Sequence, residues 1–201
     1  MDIGKHHITL TDLKYDRESL VNLYRSFPQS CAIEYNEWFA KFKFGIPFSK
    51  RAAGLKTLWT YDIANKYLID YPEVQEIMNK IRWPEHKPTI TDVHFMIYTP
   101  GWEFKTHTDK NLEYNIMIPV ILDNDSQKLQ FWVGEDCDKD TTKELDYEIT
   151  YSSEYATLFN GKVLHSASAN TGERVVLRIK VDGETYYDVV ERIKNNNFLV
   201  M

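Results

Sequence analysis

The spacing of apolar residues changes from a helical period to a strand period roughly halfway along the chain. In the first half, apolar side chains recur three and four residues apart, which is the spacing of one face of an amphipathic helix. The first such run follows an acidic residue suited to a helix cap and ends at a proline. Its residues are Asp16, Leu20, Leu23, Tyr24, Phe27 and Pro28. The pattern predicts a helix between the aspartate and the proline.

Two more helices are predicted before residue 88. Thr60 is a candidate cap for a helix whose apolar face holds Ile63, Ala64, Tyr67 and Leu68. Pro72 suits the first turn of the next helix, because a residue at that position needs no backbone N–H. The apolar positions of this helix are Val74, Ile77, Met78 and Ile81. The segment 83–88 contains two prolines, each of which disfavours a helical conformation of its predecessor, and it is predicted to be a linker.

After Pro88 the pattern favours short strands. Segments rich in β-branched and aromatic residues are separated by turn residues such as Pro100–Gly101 and Asn160–Gly161. The predicted strands are 91–99, 114–122, 128–133, 145–151, 155–159 and 174–181. Many short strands without a long helix between them are typical of a sandwich, barrel or jelly roll. A parallel sheet with crossover helices is disfavoured.

Composition places the chain among soluble globular proteins of one domain. It has 201 residues, of which 43% are hydrophobic and 27% charged, enough to bury a core without covalent staples. Two cysteines, Cys31 and Cys137, favour a reducing compartment, and we expect a cytoplasmic protein. The longest apolar stretch, 116–122, is too short to cross a membrane, and the first residues show no signal-peptide pattern.

The charge balance makes nucleic acid an unlikely partner. The formal net charge is −6 and the pI is about 5.5, whereas domains that neutralise phosphates are usually basic. A window at 40–61 has no acid and carries Lys41, Lys43, Lys50, Arg51 and Lys56, while 135–148 is strongly acidic. Both are interpreted as solvated loops. The alternative for the basic window is that it faces an anionic substrate.

Two histidines and one aspartate form a candidate metal site. His107 and Asp109 are two residues apart, so in an extended chain their side chains lie on one side. His165 follows after several predicted strands and can become a neighbour of both in a jelly roll. Two imidazoles and one carboxylate on one face of a metal are typical of non-haem Fe(II) oxygenases. We interpret His94, within a predicted strand, as a half-buried structural residue, and His6 and His7 as part of a frayed terminus.

The last predicted strand alternates apolar and basic residues. Val175, Leu177, Ile179 and Val181 form one face, and Arg174, Val176, Arg178 and Lys180 form the other. If the apolar face packs under helices, Arg174 points into the barrel or towards water. Inside the barrel it would need an anion, and a guanidinium is well shaped to hold a carboxylate. An exposed strand that pairs with a neighbouring acid is the alternative.

Taken together, His107-x-Asp109, His165 and Arg174 resemble the Fe(II)- and 2-oxoglutarate-dependent oxygenase superfamily, in particular its prolyl-hydroxylase-like branch. The resemblance implies a mainly β protein with N-terminal helices and a double-stranded β-helix core of the jelly-roll or cupin-like type. It implies that the two histidines and Asp109 ligate Fe(II) and that Arg174 binds the distal carboxylate of 2-oxoglutarate. Tyr98 resembles the tyrosine that lies against the co-substrate. Arg178 is either a rival of Arg174 or its helper, and Asn115 lies where the family often supplies a polar partner.

The implied activity is that of a dioxygenase that uses O2 and couples decarboxylation of 2-oxoglutarate to succinate with hydroxylation of a C–H bond. The expected substrate is a peptide, a protein or a small amino-acid-like molecule. The expected organisation is a helical support region at 1–88, a catalytic core at 89–185 and a C-terminal tail at 186–201, all within one domain. Two alternatives stay open: a cupin-like metalloenzyme without 2-oxoglutarate, and a non-catalytic jelly-roll binding module. The first would leave Arg174 exposed or paired with a protein carboxylate; the second would keep the three ligands apart.

Overall fold

The computed structural model describes residues 4–27, 32–34, 55–58, 68–85, 89–109, 113–122, 127–134, 144–152 and 154–200. Within these ranges the helices are α1 (Arg17–Ser26), α2 (Pro72–Lys80) and α3 (Tyr186–Lys194), with a 3₁₀ turn at Leu68–Asp70. The first four strands are β1 (His7–Leu10), β2 (Ala32–Glu34), β3 (Leu55–Leu58) and β4 (Thr89–Tyr98). Then follow β5 (Phe104–His107), β6 (Tyr114–Leu122), β7 (Lys128–Val133) and β8 (Glu144–Thr150). The last strands are β9 (Ala156–Asn160), β10 (His165–Ala167) and β11 (Arg174–Asp182).

Two antiparallel sheets pack against each other. The larger has the strand order β1-β9-β6-β11-β4-β3-β2, and the smaller has the order β5-β10-β7-β8. Side chains from both sheets, such as Met96 and Val176 of the larger and Phe131 of the smaller, share one buried cluster. From β4 to β11 the chain crosses from one sheet to the other after every strand except β7, which is followed by β8 in the same sheet. The predicted mainly β fold with a jelly-roll core is therefore confirmed.

The helices begin where local chemistry predicts. The carboxylate of Asp16 accepts a hydrogen bond from the backbone N–H of Ser19 at 3.1 Å and so caps α1. Pro72 opens α2, where its missing N–H costs nothing. The apolar faces of both helices, including Leu20, Leu23 and Ile77, pack against the outer side of the larger sheet. This outer core fixes the position of the sheet that carries the arginines.

Alternation along β11 separates two environments, as the sequence predicts. Val175, Leu177, Ile179 and Val181 belong to the outer core beneath the helices. Val176 belongs to the cluster between the sheets, and because side chains alternate along a strand, Arg174 and Arg178 lie on that same inner side. Both arginines are buried.

The sequence pattern missed the shorter strands. The six predicted strands agree with β4, β6, β7, β8, β9 and β11 to within two residues at each end. Strands β1, β2, β3, β5 and β10 were not predicted, because each has only three or four residues and periodicity cannot be recognised over so short a run. Asp109 lies just beyond the end of β5 rather than within a strand.

The chain after residue 185 is a packed helix. Thr185 caps α3 by accepting a hydrogen bond from the backbone N–H of Asp188 at 3.2 Å. Tyr186, Val189 and Val190 are buried in the outer core. The division of the chain at residues 88 and 185 stays a prediction. The segment predicted to be a tail nevertheless contributes to the core, and the described part of the first 88 residues contains three strands as well as two helices.

The beginning of the chain connects the two sheets. Strand β1 pairs with β9 of the larger sheet, with His7 opposite Phe159. The ring of His6 stacks on Phe131 of β7 with 4.8 Å between centroids, and its Nε2 lies 3.0 Å from Asp146 of β8. The prediction of a frayed terminus is therefore wrong for both histidines. Burial of the rings against aromatic side chains explains why the segment is ordered.

Several predictions fall outside the described ranges or change within them. The helix predicted from Thr60 lies outside the described residues except for Leu68, and so does the basic window except for Lys56 of β3. Both cysteines lie outside as well. Residues 144–148 of the acidic stretch belong to the edge strand β8 rather than to a loop. Of the described helices, none is long and apolar enough to span a membrane.

Candidate functional site

His107 and His165 face each other across two short strands. They are paired residues of β5 and β10, and their ring centroids are 4.5 Å apart. His165 is also paired with Phe131 of β7, so its strand lies in the middle of the smaller sheet. Antiparallel pairing therefore brings together two histidines that are far apart in sequence.

Both imidazoles are held in the same way. The Nδ1 atom of His107 lies 2.7 Å from the carbonyl oxygen of Lys105, and that of His165 lies 2.7 Å from the carbonyl oxygen of Val163. A carbonyl oxygen only accepts hydrogen bonds, so each Nδ1 carries the proton. The Nε2 atom of each ring is then left with a free lone pair, which is the state that a metal ligand requires.

Asp109 completes a three-residue cluster. Its backbone N–H donates to the carbonyl oxygen of Gly161 at 2.7 Å, which fixes the loop after β5 against the turn that precedes β10. The carboxylate Oδ1 lies 3.8 Å from His107 Nε2, and Oδ2 lies 4.0 Å from His165 Nε2. One ligand atom from each of the three residues lies within 4.8 Å of the others. Two nitrogens and one oxygen so placed fit one face of a divalent metal such as Fe(II).

A buried arginine and an amide hold the carboxylate. Arg178 Nη2 and Asn115 Nδ2 both donate to Asp109 Oδ2 at 2.8 Å, and Arg178 Nε donates to Asn115 Oδ1 at 2.7 Å. Burial alone would raise the pKa of Asp109, but the charge of Arg178, aided by the histidines and Asn115, lowers it to about 2. Asp109 is therefore ionised at neutral pH without a metal.

His165 stays neutral at physiological pH. Burial lowers its pKa to about 4, although the charge of Asp109 acts in the opposite direction. Its side chain is only 6% exposed, whereas that of His107 is 33% exposed. The cluster is thus open towards solvent on the His107 side and closed on the His165 side.

A largely apolar cavity adjoins the cluster between the two sheets. Tyr98, Phe104 and Tyr151 supply aromatic walls next to His107 and His165. The remaining lining residues are Met117, Leu129, Phe159, Ser166, Ala167 and Arg178. Tyr98 is buried, and burial raises its pKa. Among the described residues its hydroxyl donates only to the weak acceptor Sδ of Met96, at 3.6 Å.

Arg174 is the first residue of β11 and lines a second pocket, which is too narrow to hold a water molecule. It is paired with Tyr98 of β4, and its guanidinium carbon is 4.7 Å from the Tyr98 ring centroid and 3.4 Å from that of Tyr151. Its Nη1 donates to Gln127 Oε1. Its Nε and Nη2 are buried without an acceptor in the described part of the protein. Tyr151 and Met117 line both this pocket and the cavity beside the histidines.

The structure brings together the residues that the sequence singled out, but it gives Arg174 and Arg178 different partners. Arg178 and Asn115 contact Asp109, and Arg174 contacts two tyrosine rings and an amide. Gln127 was missed, because a glutamine before a strand carries no sequence signal. Tyr151 stood out only as an aromatic strand residue, and such residues are usually core. His94 is 1% exposed and is buried more deeply than predicted.

The sequence by itself matches no protein-family model and no curated protein. Solved structures do match. A prolyl hydroxylase from Trichoplax adhaerens, in complex with a hypoxia inducible factor peptide fragment, matches with a TM-score of 0.57 and 13% identity over 96% of this chain and 87% of its own. A viral collagen prolyl hydroxylase from Paramecium Bursaria Chlorella virus-1, in complex with 2-oxoglutarate, has a TM-score of 0.50 and 14% identity over 90% and 97%.

The protein has the fold of the 2-oxoglutarate- and Fe(II)-dependent oxygenases. A non-haem α-ketoglutarate-dependent carbocyclase from nogalamycin biosynthesis also shares it, with a TM-score of 0.50 and 12% identity over 90% of this chain and 81% of its own. The resemblance inferred from four residues thus extends to the architecture. Because hydroxylases and a carbocyclase share this oxygenase fold, the function has to be argued from the site.

Proposed function

We propose that the protein is an Fe(II)- and 2-oxoglutarate-dependent dioxygenase that hydroxylates a C–H bond of a peptidyl or free amino acid. The observation that carries the proposal is the pairing of a His-Asp-His cluster with a buried, incompletely satisfied arginine. A buried cation whose donors lack acceptors is costly unless an anion binds there. The cluster can hold a metal, and the arginine can bind one carboxylate of a dicarboxylate.

His107, Asp109 and His165 would hold the metal. Their donor atoms are two neutral imidazole nitrogens and one carboxylate oxygen, a set that suits Fe(II). The carbonyl partners of both Nδ1 atoms fix the rings, so binding needs little reorganisation. When bound, Fe(II) with 2-oxoglutarate and O2 supplies the oxidising power to hydroxylate an unactivated C–H bond, and 2-oxoglutarate leaves as succinate and carbon dioxide.

Arg174 would bind the distal carboxylate of 2-oxoglutarate. Its Nε and Nη2 can both donate to the oxygens of one carboxylate in a bidentate arrangement, while Gln127 and the two tyrosine rings hold the guanidinium plane. Arg178 is less suited, because Asp109 and Asn115 already occupy it. Along an extended strand, four residues span about 13 Å, so Arg174 lies well away from the metal cluster.

Tyr98 would support the co-substrate between the two ends. Its ring lies against Arg174, and it also lines the cavity beside His107 and His165. Its hydroxyl has only a weak sulfur acceptor, so it is available to donate to a carboxylate oxygen. The apolar walls from Phe104, Met117 and Leu129 would exclude water from the reaction.

Neither alternative function is favoured by an observation. A cupin-like enzyme without 2-oxoglutarate would leave Arg174 exposed or paired with a carboxylate, whereas Arg174 is 2% exposed and pairs with an amide. A binding module would not need three metal-ligand side chains within 4.8 Å. A peptide or amino-acid substrate is supported only by analogy with the peptide-bound neighbour of the same fold.

The first experiment is an anaerobic titration of the Fe(II)-loaded protein with 2-oxoglutarate. A weak visible charge-transfer band should appear, and succinate should form once O2 is admitted. His165→Ala serves as the control and should show neither. Absence of the band from protein that demonstrably holds Fe(II) would contradict the use of 2-oxoglutarate. Candidate peptides can then be screened by mass spectrometry for the addition of one oxygen atom.

A further inference from the structure

Strand β8 forms one edge of the smaller sheet. It pairs with β7 on one side, and none of the described residues pairs with its other side. Edge strands present unpaired backbone groups, and proteins commonly protect them with prolines, lysines or very short strands. β8 has seven residues and contains neither proline nor lysine. Its outer side can therefore accept another extended segment.

The hydrogen bonds of β7 show which backbone groups of β8 point outward. The carbonyl oxygen of Lys128 and the N–H of Trp132 both bond to residues that flank β10. Because backbone groups point to alternate sides along a strand, the odd-numbered residues of β7 bond towards β8. Their partners in the regular part of the ladder are odd-numbered too. The N–H and carbonyl groups of Glu148 and Thr150 therefore point away from β7, to the open edge.

Two kinds of side chain flank this edge. Glu148 lies opposite Gln130 on the outer face of the smaller sheet, and Tyr147 lies opposite Phe131 on the inner face. The Tyr147 side chain is 39% exposed. A strand added at the edge would thus meet a carboxylate on one face and an aromatic ring on the other. Since side chains alternate along a strand, a segment in which basic and apolar residues alternate is complementary to both.

Charge favours a basic occupant over a second copy of this chain. Residues 135–148 hold seven acids and two lysines, a formal charge of −5. Hydrogen bonds from Lys5 and Lys128 lower the pKa values of Asp146 and Glu148, so both carboxylates are ionised at neutral pH. These two lysines offset only part of the charge. Two copies of β8 paired edge to edge would bring their acids together, and like charges across a strand pair are destabilising.

We propose that the outer edge of β8 binds an extended peptide segment in which basic and apolar residues alternate. The segment would add a fifth strand to the smaller sheet, with backbone hydrogen bonds to Glu148 and Thr150 and an ion pair to the Glu148 carboxylate. The site is separate from the metal cluster and does not depend on the proposed function. Neighbouring strands are about 4.8 Å apart, so the added segment would lie about 14 Å from β10. One polypeptide could then reach both the edge and the cavity beside the histidines.

The test measures binding of a fluorescein-labelled peptide of alternating lysine and valine to the full chain by fluorescence anisotropy. This peptide should bind, and a matched peptide of alternating glutamate and valine should not. Thr150→Pro removes an outward N–H and leaves the bonds to β7 in place, so it should weaken binding at least about 10-fold. Thr150→Val keeps the N–H and is the matched control, which should bind like the wild type. Glu148→Gln should weaken binding about 3-fold, because it removes the charge of one cross-strand pair.

Three results of these titrations would overturn the proposal. The first is failure of the lysine–valine peptide to bind at millimolar concentration. The second is equal binding of the glutamate–valine peptide, which would show that charge does not select the occupant. The third is an unchanged affinity of folded Thr150→Pro, which would show that the peptide binds elsewhere.

Amide hydrogen exchange of the wild-type protein tests the edge even if the proline variant does not fold. In the free protein the N–H groups of Glu148 and Thr150 should exchange fast and those of Tyr147 and Ile149 slowly, and the lysine–valine peptide should slow the first pair. Slow exchange of that pair in the free monomer would show that another segment of this chain covers the edge. Slow exchange that accompanies dimer formation in sedimentation would show that a second copy does. Either result would overturn the proposal.

Discussion

The guanidinium carbon of Arg174 lies 3.4 Å from the ring centroid of Tyr151, close enough for direct stacking. Stacking and the bond to Gln127 compensate part of the cost of burying this cation. They leave two nitrogens without acceptors in the described part of the protein. The arginine is thus held in place yet incompletely neutralised, as a binding residue must be before its ligand arrives.

Arg174→Met should increase the 2-oxoglutarate concentration needed for half-maximal turnover. Loss of a bidentate charge-assisted interaction costs several kcal/mol, so we expect a rise of at least about 100-fold. Steady-state succinate assays over a range of 2-oxoglutarate concentrations measure it. Mn(II) affinity should change little, since Arg174 does not contact the metal cluster. Arg174→Lys keeps the charge and should show a smaller rise; an unaltered requirement in the methionine variant would show that Arg174 is not the anchor.

His107→Ala and His165→Ala should each reduce divalent-metal affinity. Each removes one of three donors from the cluster, so we expect the Mn(II) dissociation constant, measured by calorimetry, to increase at least about 10-fold. Neither variant should form succinate in the presence of Fe(II). His7→Gln changes a histidine outside the cluster and should behave like the wild type in metal binding. Full activity of either alanine variant would disprove the assignment of the metal ligands.

The metal-free protein should lose stability as the pH falls from about 6.5 to about 4. His165 is held neutral in the folded state because burial lowers its pKa to about 4, whereas in the unfolded chain it takes up a proton near pH 6.5. The unfolded state therefore binds more protons in this window, and the free energy of unfolding should fall by up to about 3 kcal/mol in total. Above the window His165 makes no pH-dependent contribution.

Urea unfolding in the presence of a chelator, at several pH values, measures that slope. His165→Gln removes the titrating group and should give a shallower decrease between pH 6.5 and pH 4. Asp109, with its pKa of about 2, adds a further loss only below its unfolded value near pH 4. Equal slopes for the wild type and the variant would show that His165 titrates normally.

Val189→Ala should destabilise the whole protein. Val189 lies on the buried face of α3, so loss of its methyl groups leaves a void that costs about 2 kcal/mol. Tyr187→Ala is the control on the same helix, since Tyr187 is 59% exposed and its removal should change the free energy of unfolding by less than about 0.5 kcal/mol. Denaturant unfolding compares the two. Similar values would mean that α3 is only loosely attached.

Sequence reasoning succeeded where a long period was available. The helix that Asp16 caps and the alternation along β11 follow from local rules that tertiary packing does not override. It failed for β5 and β10, because three or four residues carry no period and exist as strands only through their pairing. The ligand residues on them were found through chemistry instead of through structure.

The partners of the two arginines could not be predicted. Arg174 and Arg178 are the same residue type on the same face of one strand, four positions apart. They differ in what contacts them. Asp109, in the loop after β5, accepts a hydrogen bond from Arg178, whereas Tyr151, just after β8, stacks on Arg174. Both contacts depend on how distant segments meet, which local pattern does not encode.

The pairing of β1 with β9 has a consequence for how the protein reaches its native state. His7 lies opposite Phe159, so the first strand to be synthesised can pair only after a strand about 150 residues later in the chain has been made. Before that pairing forms, the ring of His6 cannot stack on Phe131, which is the strand neighbour of His165. We therefore expect slow folding, in which the ligand-bearing strands become rigid late and metal capture follows closure of the sandwich rather than guiding it.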